Sequence, residues 1–137
     1  MDEDEGLRRF GLHPAGDDLG QVRDLLATRS ARERQRQGDG DTELMKLCCV
    51  QLFNAGSLAD ALLIWAARES SFDAHCSIDV QLLCGAGLQA TIAYLAAERS
   101  PVASAALDYL RRCEEAGDFA GFSIENQSRW YSTYYAD

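Results

Sequence analysis

Residues 41–56 read DTELMKLCCVQLFNAG, and residues 57–69 read SLADALLIWAARE. In the first stretch Leu44, Leu47, Cys48 and Leu52 recur at helical spacing, and Met45, Cys49 and Phe53 widen the apolar face. Asp41 or Thr42 can cap its start, and Gly56 stops it just beyond Asn54. Ser57 opens a second helix, with Asp60 three residues on as an acidic variant of the capping box. Leu58, Ala61, Leu62, Trp65 and Ala66 carry that helix to Glu69. Two helices parted by one glycine predict an antiparallel hairpin, and the hairpin sets an all-α reading.

Outward from it the same punctuation recurs. Val80-Gln81-Leu82-Leu83-Cys84-Gly85-Ala86-Gly87 echoes Val50-Gln51-Leu52-Phe53-Asn54-Ala55-Gly56 with one insertion, and Glu115-Ala116-Gly117 ends a further helix. The glycines at 56, 87 and 117 lie 31 and 30 residues apart. A helix–Gly–helix unit of this length suits helical hairpins stacked as a short solenoid-like array or packed as a bundle. Ser77 can cap a helix through Val80, Leu83 and Cys84, and another runs from Leu88 to Arg99. Ser100-Pro101 is an N-cap and first-turn pair for a helix to Glu115. Ser123 opens a last one, from Ile124 to Tyr135. The polar stretch 70–77 reads as a connector. With a helix from Leu19 to Ser30, capped by Asp18, periodicity predicts about six to seven helices and no sheet.

Residues 1–18 hold paired acids, His13-Pro14 and three glycines, and read as a flexible or loosely docked acidic arm. Residues 19–40 read as an N-terminal helix and polar linker, and 41–137 as the helical core domain. At 137 residues the chain can bury a core without disulfide or metal support. The five cysteines are odd in number, and four sit inside apolar patterns. With no positively charged, apolar leader at the start, they point to reduced thiols and a cytoplasmic protein.

The hairpin at 41–69 distantly resembles a tetratricopeptide repeat. Gly56, Ala61 and Trp65 fall where that repeat keeps a turn glycine, a small residue and an aromatic. Arg68 stands where a second small residue belongs, and the period is shorter than the usual length of about 34. The strings Gly38–Met45 and Ile78–Gly87 also resemble those of small helical actinobacterial proteins with no assigned activity, and this resemblance implies no site residues. A bacterial source of high GC content also suits the basic residues, 12 of 13 of which are Arg.

Charge narrows the function. The net charge is −9, with residues 1–40 at −2 and residues 41–137 at −7. An acidic surface excludes duplex nucleic acid and anionic lipid as partners, and no apolar run approaches the roughly 20 residues of a membrane span. The seven Arg between positions 8 and 36 are interspersed with acids and read as a solvated helix face. Asp39, Asp41 and Glu43 are similar to the start of a calcium loop, but Leu44 and Val50 stand where its glycine and bidentate acid belong. The acid pairs Asp17-Asp18 and Glu114-Glu115 are neighbours on one segment and cannot face each other across a cleft. No metal or cofactor is implied.

Two groups remain as candidate sites. Trp130, Tyr131, Tyr134 and Tyr135 share one face of the last helix, where aromatic rings with polar edges either cap a helical stack or contact a partner. Asp73, His75, Cys76 and Asp79 are the densest set of reactive side chains. As a small hydrolase the connector would use His75 as base, Cys76 as nucleophile and Asp73 or Asp79 as orienter, though sequence neighbours project in different directions. The sequence favours a protein-binding module with an acidic surface, of immunity or inhibitor type, engaging a basic protein. The hydrolase and a homodimer built on the aromatic face are the alternatives.

Overall fold

The computed structural model describes residues 1–136. Among them the chain forms eight α-helices and no strand: α1 (Glu3–Phe10), α2 (Asp17–Gln35), α3 (Thr42–Ala55), α4 (Asp60–Arg68), α5 (Phe72–Ser77), α6 (Leu88–Ala97), α7 (Pro101–Glu115) and α8 (Ile124–Tyr134). One 3-10 turn, Val80–Cys84, lies between α5 and α6. The all-α reading holds, with one or two more helices than periodicity counted. None of these helices is long and apolar enough to cross a membrane.

The centre is α3. Leu44, Met45 and all of Leu47 to Phe53 are buried, and the helix touches α1, α2, α4, α5, the 3-10 turn and α8. A helix apolar on every side is stable only when surrounded. Asp41 caps it by accepting the Leu44 N–H, and Gly56 ends it in the left-handed conformation. On the far side α6 packs on α7, and α7 reaches back to α4. Ser100 and Ser123 cap α7 and α8 as their sequence positions predict.

Residues 1–18, read as a flexible or loosely docked arm, contain α1, which packs on α3. Its acids belong to a helix N-terminus: Asp2 accepts the Glu5 N–H, acids fill the first turn, and Arg8 and Arg9 fill the last. Gly6 lets the helix approach α3 closely, since a Cβ there would lie 3.2 Å from the Leu44 and Leu47 side chains. From α3, Gln51 donates to the Gly11 carbonyl and Asn54 to the Leu12 carbonyl, each at 2.8 Å.

Other boundaries move for local reasons. No side chain caps α2, which follows Gly16 rather than Asp18 and runs on through the polar stretch to Gln35. Asp60 does not complete a capping box. Its carboxylate takes two hydrogen bonds from Arg23, at 2.8 and 3.1 Å, and α4 starts only at Asp60. The connector is itself helical: Ser71 caps α5 by accepting the Ala74 N–H. No side chain caps the 3-10 turn, which Ser77 was expected to begin.

The two similar strings also differ in shape. Val50–Ala55 continues an α-helix nucleated eight residues earlier, whereas Val80–Cys84 begins just after α5 and has room for one tight turn. Their ends nevertheless meet: a Cβ on Gly85 would come within 2.4 Å of the Phe53 carbonyl oxygen, so only glycine fits there.

Candidate functional site

The core helix α3 carries few polar side chains between Leu44 and Phe53, among them Lys46, the only lysine of the chain. Its ammonium leaves the core towards α8. It stands 4.9 Å from the Tyr134 ring centre, 5.9 Å from that of Tyr131, and 3.9 Å from Asp79 Oδ2. That same Asp79 oxygen accepts the Tyr131 hydroxyl, and Gln127 Nε2 donates to the hydroxyl oxygen at 3.4 Å. Burial first, and then the Asp79 carboxylate, push the Tyr131 phenol well above its ordinary range, so it stays a protonated donor.

A cavity of about 250 Å³ opens beside this cluster, lined by Glu3, Glu43, Lys46, Cys76, Asp79 and Tyr134 among others. Burial raises the Glu3 carboxyl, and repulsion from Glu43, Asp4 and Asp41 raises it further, with Lys46 the opposing cation. The cavity rim is therefore crowded with negative charge.

The candidates of the sequence divide here. Cys76 and Asp79, from the stretch after α4, meet Tyr131 and Tyr134, from the last helix, around Lys46. Tyr131 is fully buried. Tyr135 is half-buried, its hydroxyl enclosed and without a partner among the described residues, and burial pushes its phenol up as well. Trp130 and Tyr134 face outward, each 53% exposed, with rings stacked 5.5 Å apart at 14°. They line a depression of about 500 Å³ together with Asn126, Arg129 and Thr133. The aromatic face thus splits into an inward pair, Tyr131 buried and Tyr135 half-buried, and an exposed pair.

Asp73 and His75 lie elsewhere. Asp73 is exposed on α5. His75 Nδ1 is 3.7 Å from Glu69 Oε1 and Nε2 is 3.4 Å from the Tyr109 hydroxyl. Its ring faces α7 while Cys76 lines the cavity on the α3 side, so the two do not form a nucleophile–base pair. His75 borders a second polar cluster around Arg68, which is 6% exposed. Arg68 Nε donates to the Ile78 carbonyl at 2.7 Å and Nη2 to the Tyr109 hydroxyl at 3.3 Å, and the guanidinium lies 4.9 Å over the Tyr109 ring. Nη1 is enclosed without a partner among the described residues.

No three His, Cys, Asp or Glu side chains among the described residues converge as a metal site would require. Sequence reasoning did not bring Lys46, Glu3 and Glu43 together, and weighed Glu43 only in the calcium-loop pattern. For Lys46 there was a signal: a lone lysine in an Arg-rich chain, placed on an otherwise apolar helix. Comparison with known proteins finds no matching family model, curated protein or solved structure.

Proposed function

We propose that this is a protein-binding helical module, of the kind an immunity or inhibitor protein provides, working in the cytoplasm on a basic protein partner. The observation that carries the reading is the stacked Trp130–Tyr134 pair, two large rings half exposed on the outer side of α8. Rings with polar edges are favoured at interface centres. Charge supports the sign of the partner. The chain is at −9, and Glu3, Glu43 and Asp79 gather beside Tyr134. Lys46 over the Tyr134 ring is an internal example of the contact a partner's Arg or Lys would make on Trp130.

The test is a titration with a defined Arg-rich peptide, read by Trp130 fluorescence at low and high salt. An acidic peptide of equal length and a Trp130→Ser/Tyr134→Ser variant (followed by calorimetry) serve as controls. Saturable binding that salt weakens and the variant loses supports the reading. Equal affinity of the variant, or no preference for the basic peptide, overturns it.

A further inference from the structure

A second cleft, of about 380 Å³, lies between α1 and α2, away from the α8 face. Its lining from α2 includes Leu25, Arg29 and Arg32, spaced as one helical face, and α1 adds Arg9 and Phe10. In a chain with 22 acids and 13 basic residues, a cationic side chain has carboxylates in excess to pair with. Arg23, on another face of α2, does so through two bonds to Asp60. Among the described residues the cleft arginines do not. Arg9 Nη2 donates to Gln21 Oε1 and Arg29 Nη2 to the Met1 carbonyl, each at 3.0 Å, and both acceptors are neutral. Arg32 is exposed, and its side chain takes part in no hydrogen bond or ion pair among the described residues. One carboxylate, Asp24, lines the cleft with the three arginines. The cleft is thus a locally positive site on an acidic protein, with an apolar wall of Phe10 and Leu25.

From this arrangement we propose that the α1–α2 cleft binds a small amphipathic anion. A phosphate or carboxylate head is held by Arg29 and Arg32, which offer forked donors matched to oxyanions. A short apolar body lies against Phe10 and Leu25. The cleft's volume is of the size that takes a small molecule, and the general negative charge of the protein disfavours an acidic macromolecule at the same place. The reading is independent of the α8 face, since none of its residues is shared.

The experiment is a ¹H–¹⁵N titration with hexyl phosphate, hexanoate and neutral hexanol, on wild type and on an Arg29→Gln/Arg32→Gln variant. The single Arg32→Gln variant, at an exposed position, stands in if the double variant loses its native spectrum. Saturable shifts at the Phe10, Leu25 and Thr28 amides are expected with one or both anions and not with hexanol. The stronger of the two identifies the head group. Affinity should fall about tenfold or more in the variant, the loss of one or two charge-assisted contacts. No saturable shift with either anion, equal affinity in the variant, or equal binding of hexanol overturns the proposal. So does concentration-dependent broadening of these amides without any probe, which would assign the cleft to a second copy of the chain.

Discussion

The Tyr131 hydroxyl donates to the Asp79 carboxylate, joining the last helix to the segment between α5 and the 3-10 turn across 52 residues of sequence. Lys46 stands on the same carboxylate oxygen, so one aspartate holds together α3, α8 and the linker. Removing only the hydroxyl, with Tyr131→Phe, should destabilise the fold by about 1–2 kcal/mol, since a hydrogen bond to a charged acceptor is lost. Tyr131→Ala also empties a fully buried ring site and should cost about 3–5 kcal/mol. Trp130→Ser, on the exposed side of the same helix, should stay within about 0.5 kcal/mol of wild type. Urea unfolding of the three variants measures this order. A Trp130 effect as large as that of Tyr131→Ala would mean that α8 is seated the other way round.

Glu33 is 1% exposed, yet its carboxylate accepts from the Gly38 and Gly40 N–H groups and from the Ser71 hydroxyl. Burial raises its pKa, but the bonds from Ser71, Gly40 and Gly38 together outweigh burial and leave it below the ordinary glutamate value. A carboxyl lowered in the folded state contributes stability above its unfolded pKa, about 4.3. That contribution is lost as pH falls through the folded value. Stability should therefore drop on acidification below about pH 4–5, and more steeply in wild type than in Glu33→Gln. At neutral pH the substitution should cost about 1–3 kcal/mol, as two backbone donors and a hydroxyl lose a charged acceptor. Chemical unfolding across the acid range compares the two slopes. Parallel slopes would rule out Glu33 as their source.

Four of the five thiols are buried, and Cys76 alone is exposed. Burial pushes Cys48 and Cys84 up to about 12, and Cys49 and Cys113 also lie above the usual thiol range. Since the thiolate is the reactive form, the native protein should consume one equivalent of a thiol reagent at mild alkaline pH, and five after unfolding. Cys76→Ser should remove the fast equivalent. Two or more fast thiols in the folded protein would contradict the packing of α3, α7 or the 3-10 turn.

Arg68 replaces its water shell with one carbonyl, one phenol and the face of an aromatic ring. Among the described residues no carboxylate is paired with it. Its Nη1 has no partner among the described residues, so the buried charge is incompletely satisfied, and a well-packed apolar residue should be tolerated. Arg68→Met should lie within about 1–2 kcal/mol of wild type. Arg68→Ala, which leaves a cavity and frees the Ile78 carbonyl, should cost about 2–4 kcal/mol. Thermal or urea denaturation separates them. A methionine variant that loses about 3–5 kcal/mol against wild type would mean that the charge itself supports the fold.

What could be read from the sequence was local. Asp41, Gly56, Ser100-Pro101 and Ser123 act within one turn of themselves, so their positions predicted the ends of α3, α7 and α8. The docking of α1 depends on Gln51 and Asn54, about 40 residues away, and nothing in the acidic N-terminus announces those donors. The six residues of α5 are too few to show a period. Asp60 fits a capping box until Arg23, from a different helix, claims its carboxylate. The site divides in the same way. Its residue types stood out separately as a reactive connector and an aromatic face. That Cys76 and Asp79 join Tyr131 and Tyr134, while His75 turns towards Tyr109, follows from helix packing that local spacing does not contain.

The surrounded position of α3 orders the molecule radially. Substitutions along Leu47 to Phe53 disturb several neighbours at once, so that segment has little freedom to drift over generations. The outer side of α8 and the rim of the α1–α2 cleft touch the body on one side only. Descendants of this chain can exchange those surfaces for others while inheriting the interior unchanged, which makes the fold a durable chassis for replaceable faces.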